Sequence, residues 1–419
     1  MLLFYSLGLA LVLVLGAPYW LFRMATSGKY REGLSERLGF VPERLFQEED
    51  RPVIWVHAVS VGELLAAARL IDDLRKELPG WRVVVSTTTR TGQALARQRF
   101  GIENVFYFPL DFAFAVRAYL RALKPRMLVL METEFWPRLL VECRRVRIPV
   151  AVVNARISDR SWPRYLRLRF LWRQLLGSLK LVLAQSEIDV DRLKAIGAAH
   201  VLYGGNLKYD IRTTSSAVVT KVLSEKIAPG TKILVCGSTL EGEENILLDV
   251  APDDVLTILA PRHPERFEAV ARLLESSGKQ WVRRSQWTSS PTPLVSGMVF
   301  LLDSIGELAS VYSLATVAFV GGSLIPAGGH NPLEPVQFRV PVMMGPNYEN
   351  FGAIVERLKA QDAIRIVQPT ELKDELTALL ADETAAQAMG ERAYSVFSAE
   401  AGATARAVAA LTEIVSGQA

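Results

Sequence analysis

The chain is poor in the residues that bind metals and form cross-links. Its 419 residues include 2 cysteines, Cys143 and Cys236, and 4 histidines. The cysteines stand far apart, and no Cys-x-x-Cys or Cys/His ligand spacing occurs, so neither a zinc site nor a disulfide framework is indicated. Both lie in apolar surroundings and read as small buried hydrophobes, which places the bulk of the chain in a reducing compartment. An excess of one charge is also missing: 48 basic against 44 acidic residues give +4 at pH 7. With no aromatic-rich binding module beside the basic residues, nucleic acid is not an expected partner.

Charged side chains are absent from residues 1–22, and Arg23 is the first. That stretch is long enough to cross a hydrocarbon core of about 30 Å as a helix. A cleaved signal peptide carries Lys or Arg before its apolar core. Here Arg23, Lys29, Arg31 and Arg37 follow it, with Tyr19 and Trp20 at the boundary. The expectation is an uncleaved, single-pass N-terminal transmembrane anchor over 1–22, with the remainder facing the cytoplasm. Pro18 leaves room for a kinked or shallow insertion.

The remaining length exceeds one ordinary core and predicts two domains of roughly 150–200 residues each. Short apolar runs alternate with helical patterns: Val53–Ala58, Arg82–Thr89, Met127–Glu132, Pro149–Arg156, Leu181–Ser186 and His200–Lys208. The polar stretch Arg212–Thr220 reads as a linker. Alternation then resumes at Lys232–Thr239, Asp254–His263, Met298–Ser304, Ala315–Ser323 and Val340–Pro346. Continuous Val/Ile/Leu runs between helices mark buried parallel strands. The economical fold is α/β, two doubly wound halves over 35–211 and 221–419, with ligands beyond the carboxyl ends of the strands.

Polar motifs cluster at those ends. "HAVSVGE" ends on Glu63, which is either half of a capping box with Ser60 or a general base. "METEFWP" sets Glu132 and Glu134 two residues apart, on one face if the strand persists, with Lys208 of "NLKYD" a candidate cation beside them. Glu241, Glu243 and Glu244 of "GSTLEGEE" suit a helix N-terminus. Arg262 of "PRHPERF" suits a bidentate anion contact. In "FVGGSLIPAGGHNPLEPV", glycines clear a path to the main chain before a helix near Pro332, whose N–H groups would hold a phosphate, and Glu334 would take ribose hydroxyls. The stretch is neither a Walker A nor a Gly-x-Gly-x-x-Gly sequence, so ATP hydrolysis and hydride transfer lose support. Arg164, Arg167, Arg169 and Arg173 line a segment with Tyr165, Leu168, Trp172, Leu175, Leu176 and Leu179 at helical spacing, facing either a core or anionic lipid.

Together, "HAVSVGE", "METEFWP", "NAR", "NLKYD", "EGEE", "PRHPERF", "GGSL" and "GGHNPLEP" resemble the 3-deoxy-D-manno-octulosonic acid (Kdo) transferases of lipopolysaccharide assembly, from the anchor to the final helices. The resemblance implies a GT-B glycosyltransferase: two Rossmann-like domains with a cleft between them, an acceptor domain and then a CMP-sugar-binding domain. CMP-Kdo would be the donor, a lipid A precursor the acceptor, and the cytoplasmic face of the inner membrane the location. Glu63 matches the general base, and Glu132 and Lys208 match residues supporting the transition state. Pro261, Arg262, Ile305, Gly306, Glu307, Asn331, Pro332, Leu333 and Glu334 match the CMP contacts. Ile305 replaces a common Met, which a backbone contact tolerates. No cofactor or metal is implied, because a monophosphate leaving group has no diphosphate to chelate. The competing readings are another GT-B transferase or an epimerase using a UDP-sugar, and a non-catalytic membrane-tethered nucleotide-binding protein.

Overall fold

The computed structural model describes residues 2–27, 31–46, 51–211, 218–287 and 293–417. Most of the expected linker, residues 212–217, lies outside them. Two compact units emerge, one formed by the residues up to Ile211 together with those from Glu400 onward, the other by Arg212–Ala399.

In the first unit seven strands, β1 (Val53–His57), β2 (Arg82–Thr87), β3 (Val105–Tyr107), β4 (Pro125–Met131), β5 (Val150–Ala155), β6 (Leu181–Ala184) and β7 (Val201–Tyr203), form one sheet in the order β3-β2-β1-β4-β5-β6-β7. Every pairing is parallel. Along β1, Val53 and Trp55 enter one apolar core while Ile54 and Val56 enter the other. Burial on both faces is why the strands read as unbroken apolar runs rather than alternating ones.

The second unit repeats the plan with β8 (Lys232–Thr239), β9 (Val255–Pro261), β10 (Trp281–Arg283), β11 (Val299–Leu301), β12 (Val317–Val320), β13 (Val342–Met344) and β14 (Arg365–Ile366), ordered β10-β11-β9-β8-β12-β13-β14. All of its pairings are parallel too. Both cysteines are buried, as expected of small hydrophobes.

An apolar helix spans Leu2–Ser27 and runs through Pro18. Its first turn is tied to the first unit: Arg138 donates to Ser6 Oγ at 3.2 Å, and the Tyr5 hydroxyl bonds the Asp111 carboxylate. The basic segment forms two helices, Trp162–Arg167 and Arg169–Leu176. Leu175, Leu176 and Leu179 are buried, and Tyr165 and Trp172 pack on Phe135. Leu168, expected on the packed stripe, sits instead at the break and is exposed, as are Leu166 and Phe170.

The chain terminus corrects the expected boundaries. The second domain was expected to run to 419, but the helix Ala403–Ser416 packs with Val61–Glu77, burying Ala403, Ala407, Leu411 and Val415 in the first unit's core. Asp210 fixes this return by accepting the backbone N–H groups of Gly402 and Thr404 at 2.6 and 2.5 Å. Replacing Asp210→Ala strands two N–H groups, and each bond to a charged acceptor contributes about 1.5–3 kcal/mol. The expected outcome is a first unit less stable by about 3 kcal/mol, read from urea unfolding; an unchanged midpoint refutes the role.

Candidate active site

In the first unit, β1 and β4 are neighbours at the point where strand order reverses. The helices that follow them, Val61–Glu77 and Pro137–Arg145, leave to opposite faces of the sheet. Such a switch point opens a crevice at the carboxyl edge, and Glu63 and Glu132 stand on its two sides. Ser60 caps the first helix, its Oγ accepting the Glu63 N–H at 3.4 Å. The Glu63 carboxylate accepts the Val59 N–H at 2.8 Å and the Ser60 hydroxyl at 3.1 Å. The cap is therefore real, and it aims rather than consumes the carboxylate. Burial pushes Glu63 up to about 7 against the Val59 bond, with Glu132 and Glu134 adding to the rise.

The strand carrying the glutamate pair does not persist. β4 ends at Met131, and Glu132 adopts φ 55, a left-handed conformation uncommon for a side chain with a Cβ. A turn, not a shared strand face, thus brings Glu132 near Glu134, whose carboxyl is raised by burial and then by Glu132. Lys208 joins them: burial lowers its affinity for the proton, while Glu132 and, less strongly, Glu63 raise it. Arg156 opposes them in the same place. What sets Lys208 there is Asn154, in left-handed backbone (φ 62) near the end of β5. Its Oδ1 accepts the Leu207 N–H at 3.1 Å, and Asn206 caps the short turn through the Lys208 N–H at 3.0 Å. Neither Asn154 nor Arg156 was assigned a role from sequence, although both lie in the quoted "NAR".

In the second unit, β8 and β12 flank the corresponding reversal. The glycine stretch answers differently from expectation. The carboxylate of Glu243, fully buried, accepts the N–H groups of Leu240 and Gly322 on Oε2 at 2.9 and 2.7 Å. Its Oε1 accepts those of Ser323 and Leu324, both at 2.9 Å. Gly321 donates to the Gly237 carbonyl, Gly329 to Gly322 and His330 to Gly321. These N–H groups are spent inside the protein, so the anion held by the loop is its own carboxylate, not a ligand phosphate. The helix near Pro332 is a single turn, Leu333–Val336, whose Leu333 N–H is already taken by Asn331 Oδ1 at 3.1 Å. One turn aligns few peptide dipoles, and the expected helix-terminus phosphate site is withdrawn.

Three of the residues at the strand ends, Arg262, Glu334 and His330, do converge. β9 ends at Pro261, and Arg262, exposed, anchors through its N–H to the Thr239 carbonyl at 2.9 Å. Burial pushes Glu334 up to about 7 against the opposing pull of Arg262 and Asn331. Burial also pushes His330 down to about 4, with Arg262 and His263 adding to the fall, so the ring is neutral near pH 7. Its buried Nε2 has no partner among the described residues, which makes His330 a candidate that sequence reasoning passed over. Glu307 is engaged by Arg284 at 3.1 Å and by Ser304. Gly306 is left-handed at φ 87, and Ile305 is 78 % exposed. The Glu307 carboxylate is thus engaged within the fold.

An Asp-x-Asp spacing does occur, at Asp189 and Asp191. Asp189 is buried and occupied by the Ile157 N–H and the Ser186 hydroxyl, a helix cap rather than a ligand pair.

The fold and these strand-end residues define a GT-B glycosyltransferase. Over 87 % of the chain the structure resembles UDP-GlcNAc 2-epimerase from Neisseria meningitidis (TM-score 0.56, 15 % identity, 99 % of that chain) and MurG of Acinetobacter baumannii (TM-score 0.54, 15 %, 99 %). Residues 32–211 match the family model for 3-deoxy-D-manno-octulosonic-acid transferase. Among curated relatives, the transferase of that name from Haemophilus influenzae is 34 % identical over 91 % of each chain. That of Bordetella pertussis is 34 % identical over 94 % of this chain and 95 % of its own, and that of Chlamydia trachomatis 30 % over 94 % and 93 %. The chain belongs to the 3-deoxy-D-manno-octulosonic acid transferase family, and Kdo transfer in lipopolysaccharide biosynthesis is its activity.

Replacing Glu243→Gln puts a side-chain N–H₂ against backbone donors. We expect the second unit to lose about 3 kcal/mol, from charge-assisted bonds of about 1.5–3 kcal/mol each that do not add fully. Fluorescence-monitored denaturation checks it, and a variant as stable as the parent overturns this account of the loop.

Proposed function

We propose that the enzyme moves Kdo from CMP-Kdo to a hydroxyl of a lipid A precursor, with inversion at the anomeric carbon. The observation that carries the reading is a carboxylate held near neutrality at a strand-order switch, beside a second carboxylate and a cation. Glu63 takes the proton as the acceptor oxygen forms its bond to the anomeric carbon, and the bond to the CMP oxygen breaks on the opposite face. A base with pKa near 7 balances availability against proton affinity. Lys208 and Glu132 set the field around the reacting centre, and Asn154 positions Lys208. Pro261, Arg262, the backbone of Ile305–Glu307 and Asn331–Glu334 take CMP, Arg262 facing its phosphate and Glu334 its ribose. With one phosphate to neutralise, the leaving group's charge falls to Arg262, and transfer proceeds without a metal.

Membrane seating follows from the apolar helix and the basic pair of helices. Exposed Leu166, Leu168 and Phe170 alternate with exposed Arg164, Arg167 and Arg169, a face suited to an anionic bilayer surface. A helix crossing the membrane rises 1.5 Å per residue, which would carry Tyr5 roughly 30 Å from the helix's C-terminal end. The ties of Tyr5 to Asp111 and Ser6 to Arg138 support a helix lying along the first unit, inserted in one leaflet of the cytoplasmic side.

Purified protein with CMP-Kdo, a lipid A precursor and EDTA should yield Kdo-bearing products by mass spectrometry. Glu63→Gln should cut turnover by about 10³-fold while CMP still binds. Because the base acts deprotonated, kcat/KM should rise with pH to a plateau above about 7, and Glu63→Gln should lose that limb. Full activity in the variant, or no sugar added by the parent, defeats the proposal.

The seating is tested with Leu3→Cys, both native cysteines being buried. An impermeant maleimide should fail to label it from the outer side of intact spheroplasts and succeed once they are lysed. Labelling from outside would establish a full span.

A further inference from the structure

The amino-terminal edge of the first sheet, opposite the one carrying Glu63, has a feature the transferase reading does not use. The starts of β1 and β4 and the residues leading into β5 open onto a cavity of about 1210 Å³. β1 and β4 run for 5 and 7 residues, and at about 3.3 Å per residue this edge lies roughly 17–23 Å from the switch point.

Among the described residues, eight cationic side chains line the cavity against one carboxylate, that of Glu142. Glu142 is buried and already holds two 2.8 Å bonds from Arg117 and one of 3.4 Å from Arg138. Arg82 is spent on Asn104 Oδ1 and the carbonyls of Leu45 and Glu103. Five cations are left exposed around the rim: Arg121, Lys124, Arg126, Arg145 and Arg147. Among the described residues no hydrogen bond or ion pair engages any of them, and Arg145 acts only at longer range on Glu142. Lys124 and Arg147 take left-handed backbone, φ 42 and 59. Beneath them the floor is apolar, with Leu45, Leu120 and Leu123.

Like charges gathered in a concave wall repel one another and focus a positive field outward. Guanidinium groups in that setting match phosphate oxygens bidentately. We propose that this bowl is a second ligand site, distinct from the one that binds the donor, for an anion bearing two or more phosphate charges. A soluble polyphosphorylated compound and a phosphorylated lipid headgroup present the same chemistry.

The test is calorimetric titration of inorganic tripolyphosphate into the full-length protein in neutral detergent micelles. Saturable binding is expected, weakening with salt, unaffected by saturating CMP, and at least about tenfold weaker in the triple variant R121A/R145A/R147A, none of whose parent side chains makes a bond to the described residues. The lysine counterpart R121K/R145K/R147K should retain most of the affinity, which separates loss of charge from loss of structure. Cardiolipin, whose headgroup carries two phosphates, added to the micelles identifies the source: competition assigns a lipid headgroup, its absence a soluble phosphate compound. Three results overturn the proposal: displacement by CMP, equal binding by the alanine variant, or no saturable binding at all.

Discussion

Four backbone N–H groups converging on the Glu243 carboxylate hold the second unit's strand ends in register with one another. A buried carboxylate without donors would be expelled or neutralised. With donors from Leu240, Gly322, Ser323 and Leu324 it becomes the hub that joins the loop after β8 to the loop after β12. Of the residues proposed for the donor, Pro261, Arg262 and Asn331–Glu334 hang from these two loops or from the strand end beside them. Arg262 is fixed to the carbonyl of Thr239, at the end of β8. His330 lies against Gly322, where a Cβ would stand 2.8 Å from the imidazole ring. The glycines are thus explained by the need of the main chain to approach Glu243 and itself: an added Cβ at Gly321 would meet Glu243 Oε2 at 2.9 Å.

Much of the fold was legible because parallel strands buried on both faces leave long Val/Ile/Leu runs. The strands that escaped notice, β3, β10 and β14, have 3, 3 and 2 residues and are edges of their sheets. An edge strand needs only one neighbour, and β10 and β14 are merely half-buried, so neither length nor apolarity marks them. The tail was misassigned for a related reason. Alanine-rich helical periodicity shows that Ala403–Ser416 needs a partner, not which one, and the partner is chosen by Asp210, nearly 200 residues earlier.

Motif positions at strand ends were legible for the same topological reason, whereas their partners were not. The sequence offered Lys208 as a cation for Glu132 without placing it. The link runs through β5, which neighbours β4: the Glu132 N–H bonds the Val153 carbonyl, and the next residue, Asn154, receives the Leu207 N–H. Two left-handed residues, Glu132 and Asn154, turn the ends of adjacent strands toward one another. Non-glycine residues in that conformation carry a backbone cost, which spacing along one chain does not reveal.

Glu63 and Glu243 show how far local pattern goes and where it stops. Each follows a glycine at the start of a helix after the first strand of its unit, and each engages the backbone just before that helix. Sequence leaves Glu63 as either cap or general base and reads Glu243 as an acidic residue suited to a helix N-terminus. Donor number separates them. Glu243 has four N–H groups and no solvent, so its charge is committed to structure. Glu63 has one N–H group and a hydroxyl, with Glu132 and Glu134 pressing against its ionised form. A carboxylate short of donors and crowded by like charge keeps its affinity for a proton, the property that the proposed general base requires. On the proposed reading, the division of labour between structural and reacting carboxylates is set by the hydrogen bonds each is denied as much as by those it receives.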